Sequence, residues 1–225
     1  GEDNRREFRA VINAPMIEDK LAAKVFLTSM KDDGFMSNTT TGNKIPYKDY
    51  QNFGVSFLAT PNDRFEALLT IEKFDDDSQL NAYQTNYNLG IGVESAPSDG
   101  REKDLSLGTR TCVEYPVTCR TDLSLPDTAE MDTENNASLQ VTAITLNMSY
   151  EINDNLTLKS VTGTRDMDEY RIYDFDASSA PFITIERWNE FEQTSQEFRL
   201  EGQWDRTSLI AGIYYWNSEF TQDWV

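Results

Sequence analysis

Thirty-nine carboxylates and no histidine in 225 residues decide which chemistry this chain can carry. Without imidazole, neither a Ser-His-Asp nor a Cys-His relay can be assembled, and zinc loses its commonest nitrogen ligand. Carboxylate chemistry remains. A glycosidase needs two carboxyl groups about 5–9.5 Å apart across a sugar. Acids are so frequent here that some pair meets that distance by chance, so their spacing carries no weight. The chain is read as a non-enzyme that needs no cofactor.

Two further constellations are possible sites. Cys112 and Cys119 sit in TCVEYPVTC, a polar, proline-containing stretch. They read as a short-range disulfide of an oxidising compartment, with two free thiols in a loop as the alternative. Asp32-Asp33 and Asp75-Asp76-Asp77 offer hard oxygen ligands for a cation such as Ca²⁺, but neither run matches an EF-hand loop, and no metal site is assigned. With 39 acidic and 20 basic side chains the net charge is −19, which repels nucleic acid, because that binding needs Lys and Arg to displace phosphate counterions.

The elements that must position these residues are strands. Helical periodicity is weak, whereas period-two alternation recurs. Phe8, Ala10, Ile12 and Ala14 share one face, and Leu21, Ala23, Val25 and Leu27 follow, with Phe26 breaking the alternation. Phe53, Val55, Phe57 and Ala59 precede Phe65, Ala67, Leu69 and Ile71. Ile144, Leu146, Met148 and Tyr150 precede the return from Leu156, and the last pair spans Gln193 to Gln203 and Thr207 to Asn217. The fold class is all-β, an antiparallel meander of about eight long strands.

Connections alternate between two kinds. Those at 15–19, 60–64, 153–155 and 204–206 are short, whereas 31–48, 75–138 and 171–190 are long and polar. Outer-membrane barrels have that asymmetry, with short periplasmic turns and long external loops. The runs also reach the 9–11 residues that a tilted strand needs to cross a bilayer. No stretch approaches the ~20 apolar residues of a spanning helix. Tyr150 and Trp204 fall near the short turns, while Phe35, Tyr50, Tyr173, Trp188 and Trp216 fall toward the long loops, as interfacial girdles would. The expectation is a partial transmembrane β-barrel. A soluble or surface-exposed β-sandwich carbohydrate-binding module and a passive porin are the competing readings. The sandwich requires Phe8, Phe53, Phe57, Leu69, Ile144, Leu146, Phe198 and Ile213 to pack together inside; the barrel requires them on one outward face.

In order along the chain, REFRAVINAPMIEDKLAAKV, KDDGF (Lys31 to Phe35), YQNFGVSFLATPNDRFEALL, NLTLKSVTGTR (Asn155 to Arg165), SQEFRLEG (Ser195 to Gly202) and LIAGIYYW (Leu209 to Trp216) resemble the barrel of TonB-dependent outer-membrane receptors. The resemblance covers nearly the whole chain except Asp75 to Ser138. It implies a bacterial outer-membrane transporter embedded in lipid, taking up a scarce cargo such as a ferric siderophore, cobalamin or a glycan. Energy would be relayed by the TonB-ExbB-ExbD system through an N-terminal plug. The family pattern has that plug and a barrel of about 22 strands. Here the plug is missing and the opening GEDNRREFRA carries no signal peptide, so the chain reads as a fragment of the barrel wall.

By the same resemblance, cargo meets aromatic and polar residues at the loop bases: Tyr47, Tyr50, Tyr170, Tyr173, Trp188 and Trp216. Rings there pack against flat or sugar groups while hydroxyl and indole N–H groups fix orientation. Glu197 and Arg199, two apart and so on one strand face, are expected in a structural network looking into the lumen.

Overall fold

The structure is a computed structural model that describes residues 2–82, 127–175, 177, 179, 181 and 183–225. Cys112, Cys119 and most of the 75–138 connection lie outside the described residues. Eight long strands form one antiparallel sheet: β1 (Arg6–Ile17), β2 (Leu21–Asp32), β5 (Lys48–Asn62), β6 (Phe65–Asp76), β8 (Asn136–Asn153), β9 (Leu156–Asp174), β10 (Thr184–Trp204) and β11 (Thr207–Trp224). Each pairs with its predecessor in that order, so the sheet is a pure meander. Three short strands, β3 (Met36–Asn38), β4 (Lys44–Ile45) and β7 (Thr128–Ala129), make a separate small sheet in the order β4-β3-β7.

Register assigns the faces. Ile12, Val25, Val55, Ile71 and Ile144 are successive cross-strand partners, and paired residues share a face. Following the ladder through β9, β10 and β11 puts all eight diagnostic apolar residues, Phe8 to Ile213, on that face. They do not pack inside: Phe53 is 51 % and Phe198 44 % exposed. Among the described residues no second large sheet covers them, so the sandwich does not form. The belt runs upward from the short turns. It ends where the same face becomes charged, at Lys31, Asp49, Lys73, Asp166, Glu192 and Glu219. A band bounded in this way fits a hydrocarbon layer flanked by water. At its lower edge Phe65 and Tyr150 are direct partners and Trp204 lies across Gly202.

The opposite face carries Lys24, Ser56, Thr70, Glu72, Thr145, Lys159, Glu197 and Arg199. Phe26, which interrupts the alternation in sequence, turns to this side, and its ring lies across Gly54. A Cβ at Gly54 would stand 2.1 Å from the ring, so the bare backbone makes the space that Phe26 fills. Lys24 Nζ sits 5.3 Å from the ring centroid, giving the misplaced aromatic a cation–π partner.

The turns differ from expectation at two places. Pro15 and Pro61 remain inside β1 and β5, and the chain reverses later, after Ile17 and Asn62. The register shifts at Pro15/Ile17 and at Ala59/Asn62, and proline, which has no N–H to give the ladder, is tolerated at such bulges. Asn62 and Asn153 close their turns by accepting from the N–H two residues on, at 3.0 Å each.

The buried apolar cluster among the described residues lies among the long connections, not under the large sheet. Met36, Ile45, Ala129 and Met131 pack together, with Ile45 and Met131 each 1 % exposed. Gly34 enters this knot at φ 84°, where a Cβ would lie 2.6 Å from the Ile45 carbonyl carbon. Asn38, fully buried, donates to Met131 O at 2.9 Å and accepts from Thr40 N at 3.1 Å. Glu134 gathers Asn43 Nδ2 at 2.9 Å, Gln79 Nε2 at 2.8 Å and the Thr41 hydroxyl. Asn135 accepts from Asp174 N at 2.7 Å and donates to Asn81 O at 3.0 Å. The 33–47 connection and the described ends of the 77–135 connection are thereby fastened into one cap that grips the upper end of β9.

Two outcomes follow for the intact protein. Ile144→Lys, in mid-belt, is expected to lose about 2–4 kcal/mol in reversible unfolding from lipid vesicles. Its neighbour Thr145→Lys, on the polar face, should lose less than about 1 kcal/mol; equal losses would contradict the face assignment. Met131→Ala should loosen the cap by about 2–5 kcal/mol, seen as faster protease nicking within 33–47 while the barrel keeps its heat-modifiable gel mobility.

Candidate functional site at the upper end of the polar face

β8 to β11 are 18 to 21 residues long, about twice what a bilayer crossing requires. Their upper halves therefore project beyond the belt. Two cross-strand rows on the polar face of these extensions carry a closed circuit of side chains: Arg171, Arg187 and Trp224 in one row, Glu169, Asn189 and Gln222 in the next. Arg171 pairs with Glu169. Glu169 accepts from Asn189 Nδ2 at 2.5 Å, and Asn189 Oδ1 accepts from Gln222 Nε2 at 2.7 Å. Gln222 Oε1 accepts the Trp224 indole N–H at 2.8 Å. The Arg187 guanidinium lies 5.3 Å from the Trp224 ring centre and 5.7 Å from that of Tyr173. The Tyr173 hydroxyl accepts from Arg187 Nη2 at 3.0 Å and from Arg171 Nη1 at 3.5 Å, which closes the circuit.

Each group is oriented by its neighbour, so the arrangement is rigid before any ligand arrives. The two arginines are direct cross-strand partners, a placement that like charges ordinarily disfavour. Glu169 compensates one of them. Arg187 has no carboxylate partner among the described residues, and its Nε is buried without a hydrogen bond.

The six loop-base aromatics divide between the two faces. Tyr50 (beside Phe74, ring centres 5.9 Å apart), Tyr173 and Trp216 stand on the polar face. Tyr170 and Trp188 stand on the outer face, 5.2 Å apart, with the Tyr170 hydroxyl donating to Glu186 Oε2 at 2.9 Å. Tyr47 belongs to the cap, its N–H donating to Gln79 Oε1 at 3.1 Å. The structure does not bring the six together. Lower on the polar face, Arg199 Nε lies 2.9 Å from Glu201 Oε1 and its Nη1 3.6 Å from Glu197. Lys159 Nζ reaches Glu201 at 2.8 Å, which joins the network to β9. Arg171, Arg187 and Trp224 are the residues that sequence reading missed. Arg171 shares the parity of Tyr173 along β9, but placing Arg187 and Trp224 beside them needs the register between strands. Among the described residues no group of three His, Cys, Asp or Glu is placed to hold a metal ion.

Solved structures share this architecture. The chain superposes on the ferric yersiniabactin uptake receptor FyuA from Yersinia pestis with a TM-score of 0.67 at 16 % identity, covering 98 % of this chain and 29 % of that one. The siderophore receptor PiuA from Acinetobacter baumannii gives 0.68 at 11 % identity, covering 99 % and 29 %. BauA, the ferric preacinetobactin receptor of the same organism, gives 0.67 at 10 %, covering 100 % and 30 %. The fold is that of the TonB-dependent receptor barrel. At these identities the likeness is one of fold, and the chain spans 29–30 % of the length of the structures it matches. No family model matches the sequence, and no curated protein matches it. In such a barrel the apolar belt faces lipid and the polar face looks into the lumen, so the Arg187 circuit is a lumen site and the Tyr170–Trp188 pair faces outward.

The cap has its own titration. Burial, and then the carboxylates Asp77, Asp49 and Glu134, push the Tyr47 phenol above its ordinary value of about 10. The folded cap thus favours the neutral phenol, and that contribution is complete below the unfolded value and lost as pH rises through the raised one. Absorbance titration of phenolate should show a late component that Tyr47→Phe reduces; an unchanged titration curve would refute this environment.

Proposed function

We propose that this chain is a section of the wall of an active transporter in the bacterial outer membrane, a TonB-dependent receptor taking up a scarce cargo such as a ferric siderophore. The observation that carries the reading is the preorganised circuit at the outer end of the polar face, above the apolar belt. A merely structural wall needs no charged, aromatic cluster there. The ordered cap supports the same reading, because it holds the end of β9 and with it Tyr173 and Arg171 at the mouth. Cobalamin and glycans are the other cargo classes of such receptors, and a copper transporter, OprC, has the same fold at 10 % identity. An iron chelate is preferred because the circuit presents guanidinium groups and aromatic faces. The TonB-ExbB-ExbD system, acting through a plug, supplies the energy. Nothing in this reading requires bond chemistry from the chain.

The test is uptake in cells. Deleting the gene in its host should slow growth on at least one ferric chelate as sole iron source, and accumulation of that radioiron chelate should stop when TonB is removed or a protonophore is added. Uptake that persists without TonB or membrane energy would make the protein a porin.

A further inference from the structure

The geometry points to Arg187 as the anchor of an anion subsite, one that takes a ligand group with its charge spread over two coplanar oxygens, of carboxylate or catecholate type. This rests on the transporter reading for its setting, but the contacts it is argued from are local. Half-buried cations of the chain are otherwise engaged: Arg171 meets Glu169, and Lys48 donates to Gln79 O, whereas the other described cations that meet no carboxylate, such as Lys24, Arg64 and Arg165, are exposed. In a chain with a net charge of −19, a partly buried arginine without such a partner is conspicuous. Arg187 is held by two aromatic faces and one phenol hydroxyl, and these fix the guanidinium plane without neutralising it. Its Nη1 donates to nothing among the described residues.

A planar fork with free donors matches a planar oxygen pair, which accepts two parallel hydrogen bonds. Arg171, on the far side of the Tyr173 hydroxyl, adds positive potential although Glu169 already engages it. Trp224 is 57 % exposed, so one ring face stays available to a flat ligand group stacked beside the anion. Arg165 stands on the same face of β9, deeper toward the membrane, and extends the positive character down the lumen wall. A neutral ligand would leave the Arg187 charge as uncompensated as before, so the site discriminates by charge.

The experiment uses the full-length receptor in detergent, with intrinsic tryptophan fluorescence as readout and Trp224→Phe as the signal control. Benzoate and benzamide are the first probes, nearly matched in shape and differing in charge; ferric citrate and a neutral ferric trihydroxamate are the second pair. Wild-type protein should bind benzoate about tenfold more tightly than benzamide, with the preference suppressed by salt. Arg187→Met should abolish that preference while heat-modifiable mobility stays unchanged. Arg187→Lys, which keeps the charge but not the fork, should restore only part of it. Equal binding of benzoate and benzamide by the wild type, or an undiminished preference in Arg187→Met, would overturn the subsite. Cellular uptake separates this from the broader reading. Energised uptake with no charge preference removes the subsite alone, whereas a benzoate preference without uptake of any chelate removes the transporter and leaves the subsite.

Discussion

Side chains alternate strictly across a hydrogen-bonded ladder, and a slip of one residue sends every one of them to the other face. That constraint governs the rest of the molecule. The row Ile12, Val25, Val55, Ile71 and Ile144 holds five strands in one register, and a slip of β6 would put Thr70 or Glu72 into the belt in place of Ile71. Lipid enforces this more severely than water does, because a charge at mid-bilayer costs about 2–4 kcal/mol and a backbone group without a partner costs several more. The same ladder continues upward into water along β9, β10 and β11. The rows that hold Arg171, Arg187 and Trp224 are therefore positioned by the belt beneath them, with little freedom to shift.

The cap obeys different physics. It has what the large sheet lacks, a dry core built from Met36, Ile45, Ala129 and Met131, and buried amides that saturate the backbone around it. An unpaired buried polar group costs about 1–3 kcal/mol, so Asn38 and Asn135, each bonded through both ends of its amide, specify one arrangement of the connecting segments. The belt draws its stability from surrounding lipid and the cap from excluding water. They meet at Asp174, one residue beyond Tyr173, so order in the cap is transmitted to the mouth of the lumen by direct covalent continuity.

How much of this was legible in the sequence follows from the distance over which each feature is determined. Alternation is local, and the long strands, their outward face and the short reversals could be read from neighbouring residues. Pro15 and Pro61 misled because proline usually marks a turn, while here a bulge accommodates each of them at a strand end. Phe26 looked like an error in the pattern until Gly54, 28 positions away, supplied its seat. The cap was invisible because its key bond joins residues 93 apart in sequence. At the site, Tyr173 was found as a loop-base aromatic. Grouping it with Tyr170 failed on parity alone, since an odd separation along a strand sends the two to opposite faces. Arg187 and Trp224 lacked any local signal, because their meeting depends on the register of β10 with β11.

The magnitudes explain why such a circuit is needed to hold two arginines side by side. Two unit charges about 6 Å apart repel by roughly 3 kcal/mol at an effective dielectric near 20. A cation–π contact returns about 0.5–2 kcal/mol, and a hydrogen bond to a charged group about 1.5–3. The two aromatic faces and the shared Tyr173 hydroxyl thus cover the repulsion, and Glu169 quiets only Arg171. Partial withdrawal of Arg187 from water adds a further desolvation cost that no protein anion offsets among the described residues. The free protein therefore holds this cation near balance, in a fixed plane, with donors unassigned. An arriving anion gains from that condition twice, because the charge it meets is poorly compensated and the fork that receives it is already oriented.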